Sequence, residues 1–184
     1  METALHIDNE ARQASEQGRF ERRSPASGEI VTTSAAAKSS DAIAAVEAAD
    51  RAFASWSQTG PGTRRALLLK AADEIEARTE DFVAAMKAEV GAGELWSRFN
   101  VMLAANLFRE AASLATQIQG ETIPSDKPDT LSMTVRQPVG VILSMVPWNG
   151  PVVLAARAIA YPLVCGNTVV FRASETSPKT HELI

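Results

Sequence analysis

The sequence predicts an α/β fold in which helices pack on an incomplete parallel sheet. Three features carry that expectation. Between Pro138 and Glu175 two apolar runs, Val139–Val146 and Thr168–Arg172, bracket a segment that opens at Pro151 and closes at Gly166-Asn167, giving the order strand, helix, strand. A βαβ unit of this kind is right-handed, with parallel strands, in nearly all proteins. Between residues 40 and 120 apolar side chains recur at three- and four-residue steps, the helical period. Polar residues gather just after each predicted strand, Trp148-Asn149 after the first and Ser174-Glu175 after the second. Parallel strands carry both clusters to one edge of the sheet, the carboxyl edge, where ligands of open α/β sheets bind.

The remaining elements follow in chain order. Residues 1–38 read as strands and turns, with Ser24-Pro25-Ala26-Ser27-Gly28 joining a hairpin between Phe20 and Ile30-Val31. A helix is expected from Ser40, taken as its N-cap, with Asp41 at the positive end of the helix and Ile43, Val46, Ala49, Phe53 and Trp56 on its apolar face. After Thr59-Gly60-Pro61-Gly62 a second helix buries Leu67, Leu68, Ala71, Ala72 and Ile75. A third starts at Thr79 and ends at Gly91, and a fourth from Glu94 turns Trp96, Phe99, Leu103, Leu107, Leu114 and Ile118 to the core. Arg64, Arg65, Glu74, Glu76 and Lys87 read as a solvated face. Pro124–Asp129 is a turn-rich linker, after which Leu131, Met133 and Val135 alternate with polar residues as in a half-exposed strand that needs a partner. Ser177-Pro178 then begins a last short helix.

Composition bounds the function. Hydrophobic residues at 46% and charged residues at 22% are a globular balance, and a net charge of −4 offers no basic footprint for nucleic acid or anionic membrane. The opening METALHIDNEARQ is neither a signal peptide nor a basic transit peptide, and no apolar run spans a bilayer, so a cytoplasmic protein is expected. The single Cys165 follows Leu163-Val164 at the far end of the helix from the polar clusters and reads as a small buried hydrophobe. His6 and His181 sit in no metal-ligand spacing, and no metal site is expected. Neither G-x-G-x-x-G nor a P-loop is present.

Chemistry therefore concentrates on the carboxyl edge. Asn149 follows a strand and faces a helix start, where its amide can donate to a developing oxyanion; read alone, Asn149-Gly150 is more simply a tight turn. Glu175 can accept both hydroxyls of a ribose, or be a carboxylate approaching the next helix. Arg172 can bridge nucleotide oxygens, or be a solvated charge at a strand end.

The strings PVGVILSMVPWNGP and CGNTVVFRASETSP resemble the NAD(P)-dependent aldehyde dehydrogenases, with RRALLLKAADEIEARTEDFVAAMKAEVG similar to that family's N-terminal helices and SPASGEIV to its opening hairpin. RAIAYPLVCGNTVVFRASETSPKTH is most like the aromatic-aldehyde branch of the salicylaldehyde and vanillin dehydrogenase type. The resemblance implies a Rossmann-like sheet of the aldehyde dehydrogenase type. Residues 1–120 and 138–184 would form a partial NAD-binding domain, and residues 121–137 a strand segment used in oligomerisation.

It implies that Asn149 is the oxyanion-hole amide and that Met145, Val146, Pro147 and Trp148 line the nicotinamide side of the cofactor site. Arg172, Ser174 and Glu175 would contact the adenosine ribose, the carboxylate favouring NAD over NADP. Arg157 is expected to reach the channel of an aldehyde substrate. Gly150 stands where the family commonly has Phe, Arg172 where Lys is usual and Ala158 where Lys is frequent. The family's nucleophilic Cys, general-base Glu and catalytic domain are expected beyond these residues, so the 184-residue chain alone is expected to be inactive, and a homo-oligomer is expected of an intact relative. The other expectation is a non-catalytic remnant that binds dinucleotide weakly or serves as an interaction module.

Overall fold

The computed structural model describes residues 1–184. The N-terminal region is built from short strands: β1 (Glu2–Thr3), β2 (Leu5–Ile7), β3 (Glu10–Arg12), β4 (Arg19–Arg23) and β5 (Ile30–Ala35). β4 and β5 form the expected antiparallel hairpin, closed at Gly28 with φ +75, while β1 adds in parallel on the far side of β5. The β2–β3 hairpin is not anticipated by the sequence reading. Its two-residue turn puts Asp8 and Asn9 in the left-handed region, φ 59 and 61, the geometry that matches strand twist and that Asp and Asn tolerate best among residues with a side chain.

Four helices follow, α1 (Ser39–Trp56), α2 (Pro61–Ala77), α3 (Thr79–Val90) and α4 (Glu94–Ser113). Ser40 is not the N-cap of α1. Lys38 holds that position, and Asp41, in the third helical place, accepts the Lys38 N–H at 2.8 Å and the Ser15 hydroxyl at 2.7 Å, which together hold its carboxyl below the usual range. Helix α3 stops at Gly91 in the left-handed conformation, φ 67, as expected.

The predicted face of α4 is largely inverted. Leu107 is buried and Leu103 and Ile118 are partly buried, but Trp96, Phe99 and Leu114 are 47%, 43% and 38% exposed. The side turned inward is Ser97, Asn100, Val101, Ala104, Ala105, Phe108, Ala111 and Ala112. Small side chains let α4 lie close to α2 and α5, so the bulky residues are left outside, where Trp96 and Phe99 stack at 5.8 Å. On α1 the expected apolar face is open at its start, with Ile43 59% and Val46 47% exposed, and closes further on, where Ala49, Phe53 and Trp56 are partly buried. Leu67 of α2 is likewise exposed, while Leu68, Ala72 and Ile75 are buried. Arg65, Glu74, Glu76 and Lys87 are exposed as expected, whereas Arg64 is partly buried against Gly166.

Residues 121–137 run as a narrow ribbon of β6 (Thr122–Ile123) and β7 (Ser132–Met133), paired antiparallel. The Gly120 backbone passes so close to the Thr134 carbonyl that no side chain fits there. Leu131, Met133 and Val135 are all exposed.

The chain then forms β8 (Val141–Met145), α5 (Pro151–Val164), β9 (Thr168–Arg172) and the short α6 (Pro178–Glu182). β8 and β9 pair in parallel, Val141 opposite Thr168 through Met145 opposite Arg172. Asn167 joins the ends of this unit: its Oδ1 accepts the Val139 N–H at 2.7 Å and the Gly140 N–H at 3.1 Å, and its amide donates to Pro162. The core lies among the helices, a cluster of 20 buried residues drawn mainly from α2, α3, α4 and α5, and the βαβ unit is anchored on it through Val152, Val153, Ala156, Ala160 and Val164. The fold is mixed α/β with a partial parallel sheet, as the sequence predicts.

Candidate active site at the carboxyl edge

The parallel register decides where the candidate residues fall. Met145 and Arg172 are Cα partners, so the segment after β8 and the segment after β9 leave the sheet side by side at the same level. Val146, Pro147, Trp148, Asn149 and Gly150 lead from β8 into α5, whose first helical residue is Pro151. Met145, Pro147, Trp148 and Asn149 are exposed and Val146 is partly buried, so the segment presents its side chains outward from the sheet edge. The α5 N-terminus has no side-chain cap, which leaves the positive end of its dipole next to Asn149.

Gly150 narrows the turn reading of this segment. Its φ of −141 is accessible to any residue, so Asn149-Gly150 is not the left-handed hairpin turn that an Asn-Gly pair often forms. Space at this position is tight instead. A Cβ there would lie 3.2 Å from Val153 Cγ1 and 3.6 Å from Oδ1 of Asn100. Asn100 is fully buried, donates to the Trp96 carbonyl at 3.1 Å, and keeps an unpartnered Oδ1 facing Gly150.

After β9, Arg172 and Glu175 pair with each other at 3.0 Å, both more than half exposed. The Glu175 carboxyl is held below the usual carboxylate range by its own backbone N–H and then by the Arg172 guanidinium. Ser174 is buried; its hydroxyl accepts the Thr176 N–H at 3.2 Å and its backbone N–H donates to Nδ1 of His181 at 2.9 Å. Arg157 stands apart from this edge. It is exposed on α5, six positions past Pro151 (157 − 151), about 9 Å along the axis at 1.5 Å per residue. Its charge acts on Tyr161, whose phenol burial and Glu110 push up and Arg157 pulls down.

Cys165 is exposed rather than buried, because it is the C-cap of α5 and the chain turns there into Gly166. It lies a full helix length from Asn149. No group of three or more His, Cys, Asp or Glu side chains is placed to hold a metal ion, and no helix is long and apolar enough to cross a membrane.

Two buried groups escaped sequence reasoning. Glu89 of α3 has no exposure, and its carboxylate accepts from Thr32 Oγ1 at 2.8 Å, the N–H groups of Lys179 and Thr180 at 2.7 and 2.9 Å, and Thr180 Oγ1 at 2.8 Å. It caps α6 from outside, and the hydroxyl of Ser177, at the N-cap position, is left without a partner. His181 is the second: 4% exposed, edge-on to Phe171 at 5.2 Å. The only sequence signal for Glu89 is a charged residue at a position whose helical neighbours, Ala85 and Met86, are apolar; His181, in the polar string PKTHE, has none.

Residues 12–184 match the aldehyde dehydrogenase family. The chain belongs to that family. It is 62% identical over all 184 residues to a salicylaldehyde dehydrogenase of Pseudomonas putida and 52% identical over the same length to a vanillin dehydrogenase of Pseudomonas fluorescens, covering 38% of each. Among solved structures, a salicylaldehyde dehydrogenase from Pseudomonas putida G7 complexed with salicylaldehyde matches the whole chain and 38% of its own, at a TM-score of 0.98 and 62% identity. PnpE in complex with nicotinamide adenine dinucleotide matches the whole chain and 39% of its own, at 0.94 and 34%. The chain thus spans 38% of the length of each of these two curated relatives.

Proposed function

We propose that these residues form the cofactor-side and oxyanion-side half of an aldehyde dehydrogenase site that takes an aromatic aldehyde and NAD. The observation that carries the reading is the Met145–Arg172 register, which sets the Asn149 segment beside the Ser174-Glu175 loop on one sheet edge. The aromatic substrate class follows from the names of the relatives, salicylaldehyde and vanillin dehydrogenase. Residues 1–120 and 138–184 serve as the dinucleotide-binding part, and the exposed ribbon of residues 121–137 serves as an oligomerisation edge.

The loop fits a dinucleotide. Glu175 is exposed and ionised, and its tie to Arg172 is a surface pair worth about 1 kcal/mol or less, so ribose hydroxyls can replace it at little cost. The same carboxylate repels a 2′-phosphate, which favours NAD over NADP. A bound nicotinamide dinucleotide supplies the hydride acceptor. Met145, Val146, Pro147 and Trp148 wall its nicotinamide side. Arg172, Ser174 and Glu175 hold the ribose, the buried Ser174 through the shape of its loop. The Asn149 amide donates to the aldehyde oxygen as it gains negative charge, with the positive end of α5 behind it. For Arg157, exposed about 9 Å along α5 from Pro151, the resemblance alone supports the reading that it would meet a ring hydroxyl or phenolate of the substrate. The one thiol among the 184 residues, Cys165, lies at the opposite end of α5, so these residues by themselves supply no attacking sulfur beside Asn149.

Calorimetric titration of the 184-residue chain tests the reading. NAD is expected to bind more tightly than NADP, with Glu175→Ala weakening NAD and narrowing the gap. Equal affinity for both cofactors, or no effect of Glu175→Ala, overturns the ribose assignment. NADH formation from salicylaldehyde by the same chain overturns the claim that it lacks the attacking group.

A further inference from the structure

His181 lies under the carboxyl edge, between the two segments that carry the candidate site. Its Nδ1 accepts the Ser174 N–H at 2.9 Å, on the loop that leads to Glu175. Its Nε2 is buried and has no hydrogen-bond partner; α6 packs on α5 here, and the Pro151 carbonyl, two residues past Asn149 at the start of α5, lies toward the ring. The edge-on contact with Phe171 of β9 fixes the ring plane, and 4% exposure keeps water from replacing either neighbour. A nitrogen that accepts a backbone N–H carries no proton, so the ring is the neutral Nε2–H tautomer.

We propose that His181 is a positioning residue that ties the loop carrying Ser174 and Glu175 to the turn carrying Asn149. The inference rests on the reading of this edge as a cofactor site, because it assigns His181 the task of holding the two halves of that site in register above the sheet. The sheet sets where the two segments start; His181 sets where they go next. Each nitrogen has its own task, Nδ1 toward the cofactor loop and Nε2–H toward the oxyanion turn. A phenyl ring would fill the same space and lose both. An Asn side chain offers an acceptor for Ser174 and a donor for Pro151 on a shorter stem. Burial, which pushes the imidazole pKa down to about 4, agrees with a ring that works as a fixed donor and acceptor rather than as a charge.

The test compares the wild-type chain with His181→Phe and His181→Asn, each checked for folding by far-UV circular dichroism and thermal unfolding. In the wild type at neutral pH, nitrogen-15 NMR is expected to place the ring proton on Nε2 and to detect a coupling across the Ser174 N–H···Nδ1 bond. His181→Phe is expected to mobilise the backbone amides of Ser174, Glu175 and Thr176 and to weaken NAD binding by roughly tenfold, on the scale of losing one buried hydrogen bond. His181→Asn is expected to restore part of both. A proton on Nδ1, or unchanged relaxation of those amides in a folded His181→Phe chain, overturns the proposal. So does unchanged NAD affinity in that variant. If the wild-type chain binds no NAD, the cofactor reading fails, and the tether still stands or falls on the tautomer and the amide relaxation.

Discussion

Replacing Glu89 by Ala is expected to destabilise the chain by about 3–5 kcal/mol, the range for removing one partner from a buried charged network. The structure sets the scale. Four donors converge on this carboxylate at 2.7–2.9 Å, and the residue has no exposure. Charge-assisted hydrogen bonds contribute roughly 1.5–3 kcal/mol each, but a plain sum overshoots, because part of the gain offsets the desolvation of the carboxylate. Once the side chain is gone, Lys179 and Thr180 keep two N–H groups at the start of a buried helix with nothing to receive them. Glu89→Gln retains one acceptor oxygen and turns an amide N–H₂ toward donors, so about 2–3 kcal/mol is expected. With native stabilities of about 5–15 kcal/mol, the Ala variant sits near the margin of folding. Urea unfolding followed by circular dichroism reads the effect as a drop in midpoint. A double-mutant cycle with Thr32→Val then isolates the pairwise share. A Glu89→Ala chain within about 0.5 kcal/mol of wild type, or a cycle with zero coupling, would refute the claim that this carboxylate joins β5, α3 and α6.

Other substitutions probe the rest of the structure. His181 is neutral in the fold, with its pKa lowered from 6.5 to about 4, so the unfolded chain binds the extra proton first and stability falls as pH drops through that window. Between pH 7 and pH 5 the loss is about 2 kcal/mol at 1.36 kcal/mol per unit, and urea midpoints of wild type and His181→Asn should converge at pH 5. On α4, Ala104→Leu is expected to cost about 1–3 kcal/mol by overpacking, whereas Phe99→Ala should stay within about 1 kcal/mol of wild type; the reverse order of thermal midpoints would contradict the inward-facing assignment. Gly150→Ala meets Val153 Cγ1 at 3.2 Å, and a modest loss of about 1 kcal/mol is expected by calorimetry. In an intact enzyme carrying this segment, Asn149→Ala should lower kcat about 10²–10³-fold while the thermal midpoint hardly moves, because the side chain is exposed.

The comparison of sequence with structure is instructive where it fails. The βαβ unit was legible because strand, helix and strand each carry their own period and their own punctuation, Pro151 at one end and Gly166-Asn167 at the other. The α4 face was not. Hydrophobic periodicity weighs Trp96, Phe99 and Leu114 heavily and Ala104, Ala105, Ala111 and Ala112 lightly, yet close helix packing selects the small residues. Ser177 was read as a helix cap on residue type, and the position was right, but a carboxylate distant in sequence does the capping. Glu89 stayed hidden because its donors lie 57, 90 and 91 residues away, and His181 because its partner is a backbone N–H seven residues back, which no side-chain pattern marks. For Asn149 the structure narrows the turn reading only so far: Gly150 at φ −141 rules out a left-handed Asn-Gly hairpin turn, while residues 148–150 still form a bend.

The pairing of Met145 with Arg172 also implies that this edge responds very differently to two kinds of mutation. Exchanging an exposed side chain beyond either strand, such as Trp148, Asn149 or Glu175, alters what the edge offers and leaves the helical core untouched. Inserting or deleting one residue within β8 or β9 does the opposite. It shifts one segment by about 3.3 Å against the other and turns every following strand residue to the other side of the sheet. Diversification of specificity in this region should therefore proceed by substitution after the strands, with the lengths of the strands themselves held constant.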